Sequence, residues 1–315
     1  MSEPLELFRS LLDRLESGSP CALCTVVNTR GSTPQTAGAM LLVHSTGESQ
    51  GTIGGGCVEA EVRRRALAML LSRSSGLLTF ELDHDYGWDD GLICGGRLDV
   101  AVVCLADVSQ AEPFREAIER IRRQERACVP LRVQHEGKMI EYRLNVEPTP
   151  TLLVAGAGHV GAALAKLAVG LAFRVVVFDD RSDLLDPRRL PPPIESAAGP
   201  IETSLRGWPV DANTYVVVVT RGHAHDRRAL HAVIDSPAKY LGMIGSRRKI
   251  RVVFDDLEHL GVDRAKLQRV HTPIGLKIGA VTVPEIAVSI AAELIQVRRA
   301  EGFRAVEGPF EIDGL

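Results

Sequence analysis

Apolar residues recur along the chain with two different textures, and the change from one to the other divides it. Leu5, Phe8, Leu12 and Leu15 follow helical spacing, so residues 4–17 read as an opening helix, stopped by Ser17, Gly18 and Pro20. CALCTVVNT and AMLLVHS read as strands joined by the loop GSTPQTAG. QGTIGGG leads from a short strand into a helix over VEAEVRRRALAMLL, with Val58, Val62, Ala66 and Met69 on one face. LLTFELD and RLDVAVVCLAD are two more strands, separated by the polar stretch HDYGWDDGLICGG. A helix over 111–126 and a hairpin over 129–144, turning at Glu136-Gly137, complete this half.

After NVEPTPT, with Pro148 and Pro150, continuous apolar strands alternate with amphipathic helices. TLLVAG, RVVVFDD, YVVVVT and AKYLGMIG are the strands. HVGAALAKLAVGL, DRRALHAVI and SRRKIRVVFDDLEHLG are the helices, and TVPEIAVSIAAELIQVRR is a long one near the end, with Pro284 in its first turn. Strands apolar on both faces belong to a parallel sheet covered by helices on each side. The fold class expected is α/β, an N-terminal α/β domain over 1–147 and a Rossmann-like domain with a parallel sheet over 148–315.

Composition narrows the function classes. The 315 residues are 45% hydrophobic and 24% charged, enough for packed cores. The formal net charge of −3 and an aromatic share of 4% argue against a nucleic-acid face or a base-stacking platform. The strongest apolar runs are strand-length, far short of a membrane span, and the opening MSEPLELFRSLLDR lacks the pattern of an export signal. The six cysteines, Cys21, Cys24, Cys57, Cys94, Cys104 and Cys128, are expected as reduced thiols in a cytoplasmic protein.

Gly156-Ala157-Gly158-His159-Val160-Gly161 fits G-x-G-x-x-G between an apolar strand and a helix, the context in which it cradles phosphates. Gly156 permits the tight turn, Gly158 the approach of a pyrophosphate, and Gly161 close helix–strand packing. Asp179, ending the next strand, is expected to accept from a ribose diol. Two more polar loops follow strands of the same sheet, at the edge where open parallel sheets bind ligands. They are Arg221-Gly222-His223-Ala224-His225-Asp226, in which Asp226 sits where an N-cap would, and Gly245-Ser246-Arg247-Arg248-Lys249.

Two cysteines carry a chemical signal. Cys57 follows Gly54-Gly55-Gly56 and begins a helix, whose N-terminal dipole favours a thiolate. Cys94 precedes Gly95-Gly96, which leave room for another group. Such thiols could contact a soft metal centre or carry persulfide sulfur, or they could be small buried fillers. Cys21 and Cys24 form a C-x-x-C on a strand, where residues three apart face opposite sides. Asp83-His84-Asp85 with Asp89 and Asp90 reads as an acidic loop.

Taken together, GSTPQTAGAMLLV, GTIGGGCVEAEV, GLICGGRLDV, LLVAGAGHVG, VVVVTRGHAHDRRAL, YLGMIGSRRK and PIGLKIGAVTVPEIAVSIAAEL resemble the xanthine dehydrogenase accessory factor family (XdhC/CoxI-like), in its order and over nearly the whole chain. The resemblance implies a cytoplasmic maturation factor more than a self-sufficient enzyme. Such a factor binds molybdenum cofactor, as molybdopterin or its dinucleotide form, supports its sulfuration and delivers it to a molybdenum hydroxylase apoenzyme. A cysteine desulfurase is the implied sulfur donor and a homodimer the implied assembly. Cys94 matches the family's CGG cysteine, Cys57 the cysteine of the GGCVE form, and His225 with Asp226 the HAHD motif. The expected site comprises Cys94, Cys57, His225 and Asp226 as reacting groups, with the two thiols facing molybdenum or incoming sulfur across the domain interface. Gly54, Gly55, Gly56, Gly95, Gly156, Gly158, His159, Gly161, Asp179, His223, Ser246 and Arg247 are expected to hold the cofactor. The alternatives are an NAD(P)-dependent oxidoreductase with His225 as acid/base, and a non-catalytic scaffold with a vestigial site.

Overall fold

The computed structural model describes residues 3–82, 95–300 and 302–312. The first unit opens with α1 (Glu3–Glu16), β1 (Cys21–Arg30), β2 (Met40–His44), β3 (Ser49–Gly51) and α2 (Gly56–Ser72). It continues with β4 (Gly76–Glu81), β5 (Arg97–Leu105), α3 (Glu112–Arg122), β6 (Ala127–His135) and β7 (Lys138–Val146). The second unit runs through β8 (Thr151–Ala155), α4 (His159–Gly170), β9 (Arg174–Asp179), β10 (Glu195–Ala198), α5 (Ile201–Gly207) and β11 (Thr214–Val218). Next come α6 (His223–Val233), β12 (Tyr240–Met243), α7 (Arg247–His259), α8 (Arg264–Leu267), β13 (Val270–His271) and α9 (Val283–Arg299). A last strand, β14 (Val306–Glu311), returns to the first unit.

In the first unit the sheet order is β14-β7-β6-β4-β5-β1-β2-β3, antiparallel apart from the β4–β6 contact. Alternation along β1 sends Cys21 and Leu23 into the core beneath α1 and α3, and Ala22 and Cys24 into the core beneath α2. Val58, Val62 and Ala66 are the buried stripe of α2, spaced as the helical period requires. The β6–β7 turn falls at Glu136 and Gly137, both with positive φ (50° and 80°), the pairing that matches strand twist in a tight hairpin.

The second unit is a six-stranded parallel sheet of order β10-β9-β8-β11-β12-β13. Leu152 and Val154 of β8 face α4 and α9, whereas Leu153 and Ala155 face α5, α6 and α7. The chain runs outward from β8 through β9 to β10, then crosses back to β11 on the other side. This reversal opens a crevice at the carboxyl ends of β8 and β11.

Two expectations are corrected. The second domain does not extend to 315: the units are Met1–Pro148 with Arg304–Leu315, and Thr149–Phe303, because β14 pairs antiparallel with β7. Asp226 is not an N-cap: α6 begins at His223 with Gly222 as its cap, and Asp226 lies buried in the first turn.

Candidate functional site

The glycine loop is shaped by exclusion. Gly156 has φ +117°, and a Cβ there would meet the Val219 carbonyl oxygen at 2.6 Å, so the loop crosses tightly over the end of β11. A Cβ on Gly161 would overlap the Gly156 carbonyl oxygen. Gly158 differs: its φ is −62° and no atom stands within 4 Å of the Cβ position. It caps α4 without any side-chain hydrogen bond, and His159 beside it is exposed. The start of α4 therefore has room beside Gly158, and no side chain caps its first N–H groups, which carry the positive end of the helix dipole.

Asp179, expected to meet a ribose, is 1% exposed and braces the loop. Its Oδ2 accepts from the Ala157 N–H (2.7 Å) and Arg181 Nη2 (3.0 Å), its Oδ1 from the Arg181 N–H (3.0 Å) and Nε (2.9 Å). Burial pushes its pKa up, but the Arg181 side chain and the two backbone N–H donors prevail, and the carboxyl titrates below the usual range. Arg189 Nη2 donates to the Ala157 carbonyl at 3.3 Å. Asp180 pairs with Arg221 at 2.9 Å, joining the loops after β9 and β11, the two strands that flank β8.

The HAHD segment divides by depth. His223 is exposed, and His225 is half-buried between Arg221 Nε (3.4 Å from Nε2) and Arg228 Nη2 (3.2 Å from Nδ1). An imidazole has at most one acceptor nitrogen, so only one of these contacts is a hydrogen bond at a time. Asp226 is fully buried; its Oδ1 accepts from the Thr220 hydroxyl (2.6 Å) and N–H (3.2 Å), and its carboxylate is ion-paired with Lys249. Lys249 Nζ also donates to the Ile244 carbonyl at 3.5 Å. Ser246 caps α7 by accepting from the Lys249 N–H at 3.3 Å, and both Ser246 and Arg247 are exposed.

Lys249 belongs to this polar cluster although the expected site residues did not include it, and the signal for it was the acid in the neighbouring loop. A buried carboxylate demands a cation, and the loops after β11 and β12 are neighbours in the sheet. A second missed network involves Glu293 of α9. It accepts from the Tyr240 hydroxyl (2.7 Å) and the Gly275 N–H (2.6 Å) and lies 3.2 Å from His271 Nδ1. It straps residues 272–276 onto α9, where Gly275 has no room for a side chain against Ser289.

In the first unit three glycine motifs converge. A Cβ on Gly31 would meet the Gly95 carbonyl oxygen at 3.1 Å, one on Gly96 would overlap Ser32, and one on Gly54 would meet Pro34 at 2.7 Å. Glu59 holds the Gly54–Gly56 turn, its Oε2 accepting from the Thr52 hydroxyl (2.8 Å) and the N–H groups of Ile53 (3.2 Å) and Gly55 (3.1 Å). Gly55 and Gly56 follow each other at φ 71° and 62°, with open space at both Cβ positions, and Cys57 stands half-buried as the second residue of α2. Gly95 also has open space at its Cβ, and its N–H donates to the Leu82 carbonyl at 2.9 Å. Cys94 and the acidic run of Asp83, His84, Asp85, Asp89 and Asp90 lie outside the described residues. The cysteines of β1 and β5 are core, whereas Cys128 on β6 is exposed: burial pushes the Cys21 thiol up to about 12 and Cys104 to about 11, with Cys24 raised further.

Among the described residues no three His, Cys, Asp or Glu side chains gather to hold a metal ion, and no helix is long and apolar enough to cross a membrane.

Comparison with known proteins agrees with this division. Residues 152–294 match the XdhC Rossmann domain, and residues 14–81 match the XdhC and CoxI family. The chain is 29% identical over 295 residues to "Uncharacterized protein YqeB" of Escherichia coli (strain K12), covering 93% of this chain but 46% of that relative, about half its length. It is 25% identical over 329 residues to a probable xanthine dehydrogenase subunit of Bacillus subtilis (strain 168), covering 93% and 98%. It is 24% identical over 304 residues to "Molybdenum cofactor insertion chaperone PaoD" of E. coli (strain K12), covering 93% and 88%. A crystal structure of a xanthine dehydrogenase from Bacillus halodurans shares the fold, with TM-score 0.79 at 20% identity over 95% of this chain and 97% of that one. With a model matched in each unit, the chain belongs to the XdhC and CoxI family.

Proposed function

We propose that the protein is an accessory chaperone that takes molybdenum cofactor as cargo, supports its sulfuration and delivers it to a molybdenum hydroxylase of the xanthine dehydrogenase or carbon monoxide dehydrogenase type. The observation that carries this reading is the uncapped N-terminus of α4 at Gly158, inside a loop whose other glycines admit no side chain. It suits the phosphate that ends molybdopterin, or the pyrophosphate of its dinucleotide form. Relatives named as a cofactor insertion chaperone and as part of a xanthine dehydrogenase support the same assignment.

In this reading the N–H groups of α4 hold the phosphate end, and His223, His225, Ser246, Arg247 and Lys249 line the edge of the same sheet. Asp226 acts from beneath by fixing Lys249. Cys57 and Cys94 are assigned to receive persulfide sulfur from a cysteine desulfurase and to contact the cargo's molybdenum. The glycine turns beside them, with Gly55, Gly56 and Gly95 unobstructed, leave room for a second molecule. A cytoplasmic homodimer is the assembly proposed. NAD(P) is the other ligand such a loop accommodates. It finds less support, because Asp179 is engaged on both oxygens and Asp180 already pairs with Arg221.

The test is to express the chain in a molybdenum-replete host, then assay released pterin by fluorescence and metal by mass spectrometry. Pterin and molybdenum in comparable amounts are expected, with loss of target-enzyme activation in Cys94→Ala. A pterin-free and metal-free protein that also fails to bind added cofactor would overturn the reading.

A further inference from the structure

One face of α9 is left over by the fold. Its core stripe is Ala287, Ile290, Ala291 and Leu294, packed with α4 against the parallel sheet. On the opposite side Glu285, Val288, Ala292, Ile295 and Arg299 recur at alternating steps of three and four residues, which sets them in one line along the helix. Val288 is 47% and Ile295 40% exposed, and Val281, just before the helix, is 82% exposed and prolongs the line. Leu167 of α4 is exposed too. It lies at the level of Ile295, because about one turn further along both helices Arg298 Nη1 donates to the Leu171 carbonyl at 2.9 Å.

A surface helix normally turns charge outward, as α3 does with Glu116, Glu119 and Arg123. The line on α9 is apolar in its middle and charged only at its ends, with an exposed acid at the start and an exposed base at the finish. Glu285 stands seven residues before Ala292 and Arg299 seven after it. Such a line complements itself under a two-fold axis, which a patch built for an unrelated protein has no reason to do. Two α9 helices running antiparallel and crossing at Ala292 bring Glu285 against Arg299 of the partner subunit at both ends. The same register sets Val288 against Ile295 of the partner subunit. Ala292 at the crossing lets the two backbones approach closely.

We infer that this face of α9, with Leu167 beside it, is the contact between two copies of the chain. It is the two-fold interface of the homodimer proposed above, on which the inference rests.

Sedimentation equilibrium of the full-length protein at micromolar concentration is the test. The wild type is expected at twice the chain mass. Ile295→Glu should give a monomer, because it buries an unpaired charge at the contact while standing on the outer side of the helix; an unchanged far-ultraviolet circular dichroism spectrum would show its fold intact. Arg299→Glu places like charges together at both ends and should weaken the dimer about tenfold. Adding Glu285→Lys to Arg299→Glu should win that loss back, although the substitution also removes the capping box of α9. A double variant no tighter than Arg299→Glu alone overturns the antiparallel pairing. A dimer that survives both Val288→Glu and Ile295→Glu overturns the assignment of the face and leaves the homodimer standing. A monomeric wild type overturns the face and the homodimer together.

Discussion

At Asp179 two opposing effects meet on one side chain. Burial alone would favour the neutral acid, yet Arg181 and two backbone N–H groups hold the carboxylate charged. Its folded pKa therefore lies below the unfolded value of about 3.9. The stabilisation is complete above that value and drains away as pH falls through the depressed folded pKa. Asp179→Asn should cost about 2 kcal/mol at pH 7, and that deficit should shrink towards pH 2, as read by urea unfolding at both pH values. An unchanged deficit at low pH would mean that the loop is braced by shape, not charge. Asp226 is the counterpart on the next loop: a buried acid that never reaches solvent but decides where an ammonium stands.

Among the elements, the glycine loop separates holding the fold from holding a ligand. Gly161→Ala drives a methyl into the Gly156 carbonyl and should cost about 3 kcal/mol or more. Gly158→Ala meets nothing, sits at an ordinary φ, and should cost less than about 1 kcal/mol. Calorimetric melting should separate the two, while retained pterin falls in Gly158→Ala despite an intact fold. The strands TLLVAG, RVVVFDD and YVVVVT were legible because burial on both faces leaves continuous apolar runs, and the α4 loop because its glycines obey local geometry. Other elements left weaker traces. β10 and α5 were hidden behind Pro191, Pro192 and Pro193, and α6 starts at His223 because Gly222 caps it, where Asp226 was the more familiar signal. β14 carries Gly308 and Pro309, residues that argue against a strand unless it lies on an edge, which is where it lies. The Lys249–Asp226 pair depends on which strands are neighbours, and no local pattern records that.

For the whole molecule, connectivity matters more than any single contact. The parallel-sheet unit is inserted between β7 and β14 of the other, so the first unit is discontinuous in sequence. Deleting residues 304–315 removes β14, bares the edge of β7 and strips Gly308 from above Tyr142. The expected outcome is a lowered melting temperature for the first unit with the second unchanged, resolved by hydrogen exchange of β6–β7 amides against β8–β9 amides. Equal protection in both would show β14 to be dispensable. The same insertion orders events on the ribosome. Every residue of the parallel-sheet unit has been polymerised before the strand that completes the first sheet is made, and that strand leaves the exit tunnel after it. A nascent chain thus has its parallel-sheet half available while the first sheet still lacks an edge strand, and the unit that begins the chain is the later of the two to be completed.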